Sequence, residues 1–472
     1  MVLTKTDFIH YLNCPKSMWL EKHDPENFPR GEFSAFQQKL VQEGREVEVF
    51  FRQLLDGRAF GRVDYEVEFQ LDDLCARADG LAVDAAGQTT LYEVKSSTRV
   101  KTDAKHNHLK DACFQKICAE LAGQPIHRVV LVHLNSEYVR RGEIDPAGLL
   151  VLEDITDRMT AIEAVTRDEM DAAVALLQDE IDRVGCNCLR KSRANHCDAF
   201  SYFNPDMPNP SIYSLPRLQP AQLIELVDQG QFDPRAVPEG FQLGKQQGVV
   251  LAAFQTREPQ IDHGVIKAFF KDLVFPLYFL DYETYASAVP LLDGISPHKA
   301  FPVQYSLHIL DAGGQLTHHE YLEQEARLPH ILVAKLRESI AGEGSVIAWH
   351  ASFERTQNHM MAQAFPQHED FLLDLNKRMI DLEEPFKTGY VDARFGGSTS
   401  IKKVLPVVCP DMNYDDLAVQ DGAAAMNAWS NMLAAPPDDL AAITRNLLRY
   451  CERDTEAMVG IYRFLNERWR EG

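Results

Sequence analysis

The 472 residues carry 48 Lys and Arg against 70 Asp and Glu, a formal net charge of −22 at pH 7. That balance excludes a protein that coats nucleic acid by charge alone, although a local basic groove suffices to hold phosphates. With 45% hydrophobic and 25% charged residues and no apolar run long enough for a bilayer, the chain reads as globular with two or three cores. The start, MVLTKTDFIHYLNC, lacks a secretory apolar stretch, so a cytoplasmic location with no membrane contact is expected. The nine cysteines then read as thiols or metal ligands rather than as disulfides.

Thr4 is placed to N-cap a helix through Phe8, Ile9 and Leu12 that must stop near Cys14 and Pro15. Helical spacing from Phe33 to Leu55 places Glu43, Glu46 and Glu48 on the next helix, and Asp64 to Leu71 alternates as a strand. Ala76 to Ser97, ARADGLAVDAAGQTTLYEVKSS, then reads as a β-hairpin around DAAGQ. Asp79 lies on one arm and Glu93 and Lys95 on the other. Strand parity sends Glu93, Lys95 and Leu91 to one face and Tyr92 and Val94 to the other. Two carboxylates beside an ammonium suit a divalent ion and a water poised for phosphodiester attack; a surface Glu/Lys pair on an edge hairpin is the plain alternative. Ala104 to Leu121 reads as a helix, with Gln115 turned either to the metal or to the surface. His127 to Asn135 reads as a strand and Ile162 to Ile181 as a helix. Lys95, Arg99, Lys101, Lys105 and Lys110 form a basic run suited to phosphate contact.

In GCNCLRKSRANHC, Cys186, Cys188 and Cys197 fall within twelve positions, a density that points to metal or cluster ligation. Cys14 is the candidate fourth ligand, with His196 open for zinc, and the spacing does not choose between Zn²⁺ and an iron–sulfur cluster. FSYFNPDMPNPSIYSLP, from Phe200, marks a boundary, and Gln219 to Phe254 reads as a small helical connector.

Beyond it, PLYFLDYETY (Pro276 to Tyr285) is an apolar strand with Asp281 and Glu283 on one face, an expensive placement unless paired or metal-bound. Strands follow at Val303 to Leu310 and Ser345 to Trp349, the second running into HASFE with His350 and Glu354. Leu447 to Leu465 reads as a last helix on which Tyr450 and Asp454 share a face. Asp281, Glu283, Glu354 and Asp454 would make a four-carboxylate cage for two metals about 4 Å apart, with Tyr450 orienting the water.

Asp79 with Glu93, Val94 and Lys95 resembles the core of PD-(D/E)XK nucleases, in the branch similar to RecB and to the CRISPR-associated iron–sulfur exonucleases. The resemblance implies a [4Fe–4S] cluster on Cys14, Cys186, Cys188 and Cys197, with Zn²⁺ as the alternative, and makes Gln115 the family's glutamine. The tight C-x-C pair departs from the wider spacing usual there. FLDYET, HASFE and YCERDTEA resemble the three motifs of DnaQ-like, RNase H-fold 3′–5′ exonucleases, with His350 in place of Asn and Glu354 in place of Asp. GGSTSIKKVLP, with Ser400, Lys402 and Leu405, resembles an element near their substrate. The whole resembles a bacterial two-domain nuclease family. The expectation is α/β throughout: a PD-(D/E)XK restriction-endonuclease-like domain over 1–200, a linker and helical connector over 201–270, and a DnaQ-type domain over 271–472. The implied ions are Mg²⁺ or Mn²⁺, the implied partner is nucleic acid with DNA preferred over RNA, and the rivals are an RNA exonuclease and an inactive binding scaffold with a zinc clamp.

Overall fold

A computed structural model describes residues 1–31, 34–58, 61–103, 105–340 and 342–471. The chain divides into two compact units, residues 1–207 with 287–299, and residues 208–286 with those from 300 on. From Pro208, the stretch expected to be a separate connector is thus part of the second unit.

In the first unit, strand β1 (Leu3–Thr4) runs into helix α1 (Lys5–Asn13) through a capping box in which Thr4 and Asp7 satisfy each other's backbone N–H. Cys14 ends that helix, and Pro15, whose missing N–H does no harm in a first turn, opens α2 (Pro15–His23). Ser34 caps α3 (Ala35–Asp56); its expected start, Phe33, lies outside the described residues. Strands β2 (Arg62–Gln70), β3 (Leu74–Val83) and β4 (Thr89–Lys95) are antiparallel neighbours. Helix α4 (His108–Leu121), capped by Asn107, then crosses to β5 (Arg128–Leu134), which pairs parallel to β4. Ala104, the expected start of α4, is also outside the described residues. Strand β6 (Leu150–Asp154) pairs antiparallel to β5, and α5 (Thr156–Leu176) follows. Helix α5 starts at Thr156 rather than Ile162, because the polar TDRMT run hides a first turn whose Met159 is fully buried.

The sheet order is β1-β3-β4-β5-β6, with β2 on β3. Alternation along β4 feeds two cores. Leu91 packs with Phe8, Phe114 and Ile117, while Tyr92 packs with Val47, Phe51 and Val130. Gly80 is required beside Asp79, since a Cβ there would come within 2.8 Å of the Phe51 ring.

The second unit holds α6 (Pro220–Asp228), α7 (Lys245–Thr256) and α8 (His263–Lys271) ahead of a five-stranded sheet. Its strands are β7 (Leu277–Tyr285), β8 (Phe301–Leu310), β9 (Leu316–Leu322), β10 (Ser345–Ala348) and β11 (Met379–Asp381), in the order β9-β8-β7-β10-β11. The first three form an antiparallel meander; β10 pairs parallel to β7, and β11 to β10. A register shift follows Glu283, the kind of irregularity that re-aims side chains near a site. Helices α9 (His330–Ser339), α10 (Ser352–Ala364), α11 (Glu369–Arg378), α12 (Ile401–Val408) and α13 (Gly422–Ala434) lead to the 35-residue α14 (Pro437–Glu471). Helix α14 runs past both ends of the expected Leu447 to Leu465. Gly397, at φ +76°, lies so close to the Ser214 carbonyl that no Cβ fits, which locks the GGST turn in place. Among the described residues no helix is long and apolar enough to cross a membrane.

Candidate functional site

Three groups of chemically active side chains assemble. The first is Cys14, at the end of α1, with Cys186, Cys188 and Cys197 from the loop after α5. All four are buried and unbridged, and their sulfurs lie within 4.8 Å of one another. Trp19, Phe28 and Phe203 wall the group. Lys191 Nζ donates to Asn13 O at 2.5 Å and so ties the cysteine loop to the end of α1. His196, the alternative fourth ligand, stacks on Phe200 and sets Nε2 3.1 Å from Lys191 O. A buried set of four thiols suits a soft or borderline metal.

The second group forms on the hairpin. Asp79 Oδ2 accepts from Val94 N–H at 2.7 Å, joining the two arms. Glu93 is 1% exposed. Its Oε1 accepts from Lys5 Nζ at 2.8 Å and Lys95 Nζ at 2.7 Å, and its Oε2 from Gln115 Nε2 at 2.6 Å. Lys95 also bonds Asp111, which accepts from Gln115 at 3.1 Å. Burial opposes the charge of Glu93, but Lys5 and Lys95 outweigh it and hold the carboxyl far below the usual range. Asp79 is pushed up to about 8, chiefly by burial and then by Glu93. Gln115 Oε1 is buried without a hydrogen-bond partner. Asp79, Glu93, Lys95 and Gln115 therefore meet, and Lys5 and Asp111 join them unanticipated. Asp111 was legible, four residues before Gln115 on one helix face. Lys5 was not, since nothing local marks a residue 88 positions from its partner. On α3, Glu43 pairs with Lys39.

The third group lies where β7 meets α14. Asp281, Glu283 and Cys451 bring ligand atoms within 4.8 Å of one another, and the Cys451 thiol donates to Asp281 Oδ2 at 3.5 Å. Burial, then Asp454, drives both Asp281 and Glu283 well above the carboxylate range. Asp454 is pushed up to about 6 by burial, against the pull of the Tyr414 hydroxyl, Lys402 and Tyr450. Tyr414 donates to Asp454 Oδ1 at 2.5 Å. Lys402 reaches the Tyr450 hydroxyl at 3.4 Å. Glu354 is 2% exposed, its Oε2 is without a hydrogen-bond partner, and its carboxyl is pushed up to about 8, mainly by burial. Its charge acts on Asp281 and Glu283, so it belongs to the neighbourhood but not to the tightest grouping. His350, at φ +61°, turns to Asp381 and Glu383 instead. Among the described residues no lysine or arginine makes an ion pair with Asp281, Glu283, Glu354 or Asp454. Cys451 and Tyr414 were missed; the first was readable three positions before Asp454 on one face.

One family, described as a domain of unknown function (DUF2779), matches residues 278–400. The matched stretch contains Asp281, Glu283, Glu354 and the GGSTS turn, and ends before Lys402, Tyr414, Tyr450 and Asp454. No curated protein matches the chain.

Proposed function

We propose that the chain is a metal-dependent nuclease that hydrolyses phosphodiester bonds, by preference a DNA exonuclease, with one site in each unit. The observation that carries this reading is the acid group of the second unit: four carboxyls with no ion-pair partner among the described residues, Glu354 and Asp454 buried and Asp281 and Glu283 half-buried, two of them driven well above the ordinary range and one carboxylate oxygen unpartnered. Such a group calls for a cation. The meander of three strands followed by two parallel ones, with acids on the first strand and last helix, supports an RNase H-like, DnaQ-type domain. The order helix, three antiparallel strands, helix, parallel strand supports a PD-(D/E)XK core in the first unit.

Asp281, Glu283 and Asp454 would hold the ion of the second site, and Asp79 and Glu93 that of the first. Mg²⁺ or Mn²⁺ supplies charge to the phosphate and lowers the pKa of a bound water. Tyr450 orients the attacking water, with Lys402 beside it, and Lys95 stabilises charge developing on the phosphate in the first site.

The cysteine group acts as a clamp between α1 and the loop after α5. Its sulfurs, all within 4.8 Å of one another, would hold a [4Fe–4S] cluster, as the resemblance implies, with Zn²⁺ as the alternative. Brown protein containing iron would support the cluster, and colourless protein containing zinc the alternative.

For the first site a second reading, phosphate binding without cleavage, is favoured by one observation. Both oxygens of Glu93 are already taken by Lys5, Lys95 and Gln115, so an ion must displace a donor.

The test is cleavage of end-labelled single- and double-stranded DNA and of matched RNA by wild type, Lys95→Ala and Asp281→Ala with Mg²⁺ or Mn²⁺. Loss of cutting in Asp281→Ala supports the reading. Activity on RNA alone overturns the DNA preference, and full activity in both variants overturns both sites.

A further inference from the structure

Outside the carboxylate group, two histidines and a glutamate close on one another. His308 on β8 and His318 on β9 are cross-strand partners whose rings stack 4.4 Å apart between centroids, 25° from parallel. Glu452 on α14 brings Oε1 to 3.8 Å from His318 Nδ1. One ligand atom from each of the three lies within 4.8 Å of the others. The second oxygen of Glu452 accepts from Arg449 at 2.8 Å, which orients the carboxylate and leaves Oε1 to the histidines.

One proton arrangement around the neighbouring hydroxyls satisfies every contact and sets which ring nitrogens carry lone pairs. In it, Thr455 Oγ1 donates its one proton to Glu452 O at 3.0 Å and accepts from His308 Nδ1 at 2.8 Å and Ser306 Oγ at 2.7 Å. Ser306, having donated to Thr455, accepts from His318 Nε2 at 2.9 Å. His308 is then protonated on Nδ1 and His318 on Nε2, and the lone pairs stand on His308 Nε2 and His318 Nδ1. Histidine ligands in metal sites are held in this manner, by a hydrogen bond on the other ring nitrogen. Burial keeps His308 neutral, its pKa pulled down to about 4, and lowers that of His318 as well.

The geometry points to a Zn²⁺-type site made by His308 Nε2, His318 Nδ1 and Glu452 Oε1, distinct from both the carboxylate group and the four cysteines. Two imidazoles and one carboxylate suit zinc over magnesium. The His318 and Glu452 side chains are 23% and 31% exposed, which gives the ion a way in from solvent and leaves a fourth position for water. A bound ion would join β8 and β9 to the turn of α14 that carries Tyr450, Cys451 and Asp454. The inference does not depend on the nuclease reading.

The test strips the full-length protein with chelator and titrates it with Zn²⁺, and with Co²⁺ as an optical probe. Wild type is expected to bind one equivalent more than His318→Ala, and the equivalent lost should lack the thiolate-to-cobalt absorption that the cysteine group contributes. Thr455→Val, which releases the His308 tautomer without touching a ligand, should weaken that equivalent on the order of tenfold or more. Because His318→Ala also removes a ring stack, Glu452→Gln, partly exposed and nearly isosteric, is the second variant; Zn²⁺ should raise its melting temperature less than that of wild type. Equal zinc counts in wild type, His318→Ala and Glu452→Gln overturn the site. So does a lost equivalent that carries the thiolate absorption.

Discussion

The two acid groups differ in how their charge is balanced. In the first unit, buried Glu93 meets two lysines and an amide, and its carboxyl stays ionised without help. In the second, Asp281, Glu283 and Asp454 meet a thiol, two phenols and one another, with Lys402 near but in no ion pair with them, and burial pushes every carboxyl upward. A paired site is stable with or without an ion, whereas an unpaired one has to take up protons or a cation. The hairpin carries the more intact motif on paper, yet the carboxylates of the second unit make the stronger demand for metal.

Asp281→Asn separates these states most sharply. Cleavage at the second site should fall by about 10²-fold or more, because the near-isosteric amide removes the charge of a proposed metal ligand. In metal-free protein the same change should raise the melting temperature, because it removes one of several mutually repelling acids. A variant that melts lower than wild type in chelator would break the comparison.

The pH dependence of metal-free protein is the next test. Glu354 is pushed up from an ordinary 4.5 to about 8. Between those values the native state keeps a proton that the unfolded chain gives up, so stability falls as pH rises through this window. Thermal melts in chelator should show that decline, and saturating Mn²⁺ should remove most of it. A stability that climbs across the same range would contradict the uncompensated site.

Lys5→Met makes the first site resemble the second. Removing a hydrogen bond to a buried carboxylate should destabilise the metal-free protein by about 1.5–3 kcal/mol. The unbalanced Glu93 should then take up Mn²⁺ more readily. In an Asp281→Asn background, Mn²⁺ should raise the melting temperature of Lys5→Met more than that of its parent. An equal response would mean that Lys5 does not compete with an ion.

How much of this was legible follows the range of each interaction. Period-two alternation along β4 puts Glu93 beside Lys95 and sends Leu91 and Tyr92 to opposite cores, as the residues indicate. Helical spacing joins Tyr450 to Asp454 and would have added Asp111 to Gln115 and Cys451 to Asp454. Strand β9, LTHHEYL, escapes because it is a polar, half-exposed edge whose alternation is masked by paired histidines. Lys5 and Tyr414 escape for a different reason. Their partners lie 88 and 40 positions away, so the charge balance that distinguishes the two sites is a property of packing and not of any local pattern.

The smallest effect tests that balance most directly. Tyr414 donates to Asp454 Oδ1 at 2.5 Å and favours the ionised carboxylate, which burial has raised to about 6. Tyr414→Phe deletes this donor without disturbing Lys402 or the Tyr450 hydroxyl. Losing a bond to a charged group worth about 1.5–3 kcal/mol should move the Asp454 titration toward higher pH by a factor of about ten or more in proton concentration. The acid limb of the cleavage profile should move with it, while the rate at high pH changes little. Tyr450→Phe removes a phenol that bonds Asp454 and, in the proposed site, also orients the water, so it should lower the high-pH rate as well as shift the limb. If Tyr414→Phe depressed the high-pH rate and left the limb in place, Tyr414 would be acting on the substrate. The balance of charge at Asp454 would then rest on Lys402 and Tyr450.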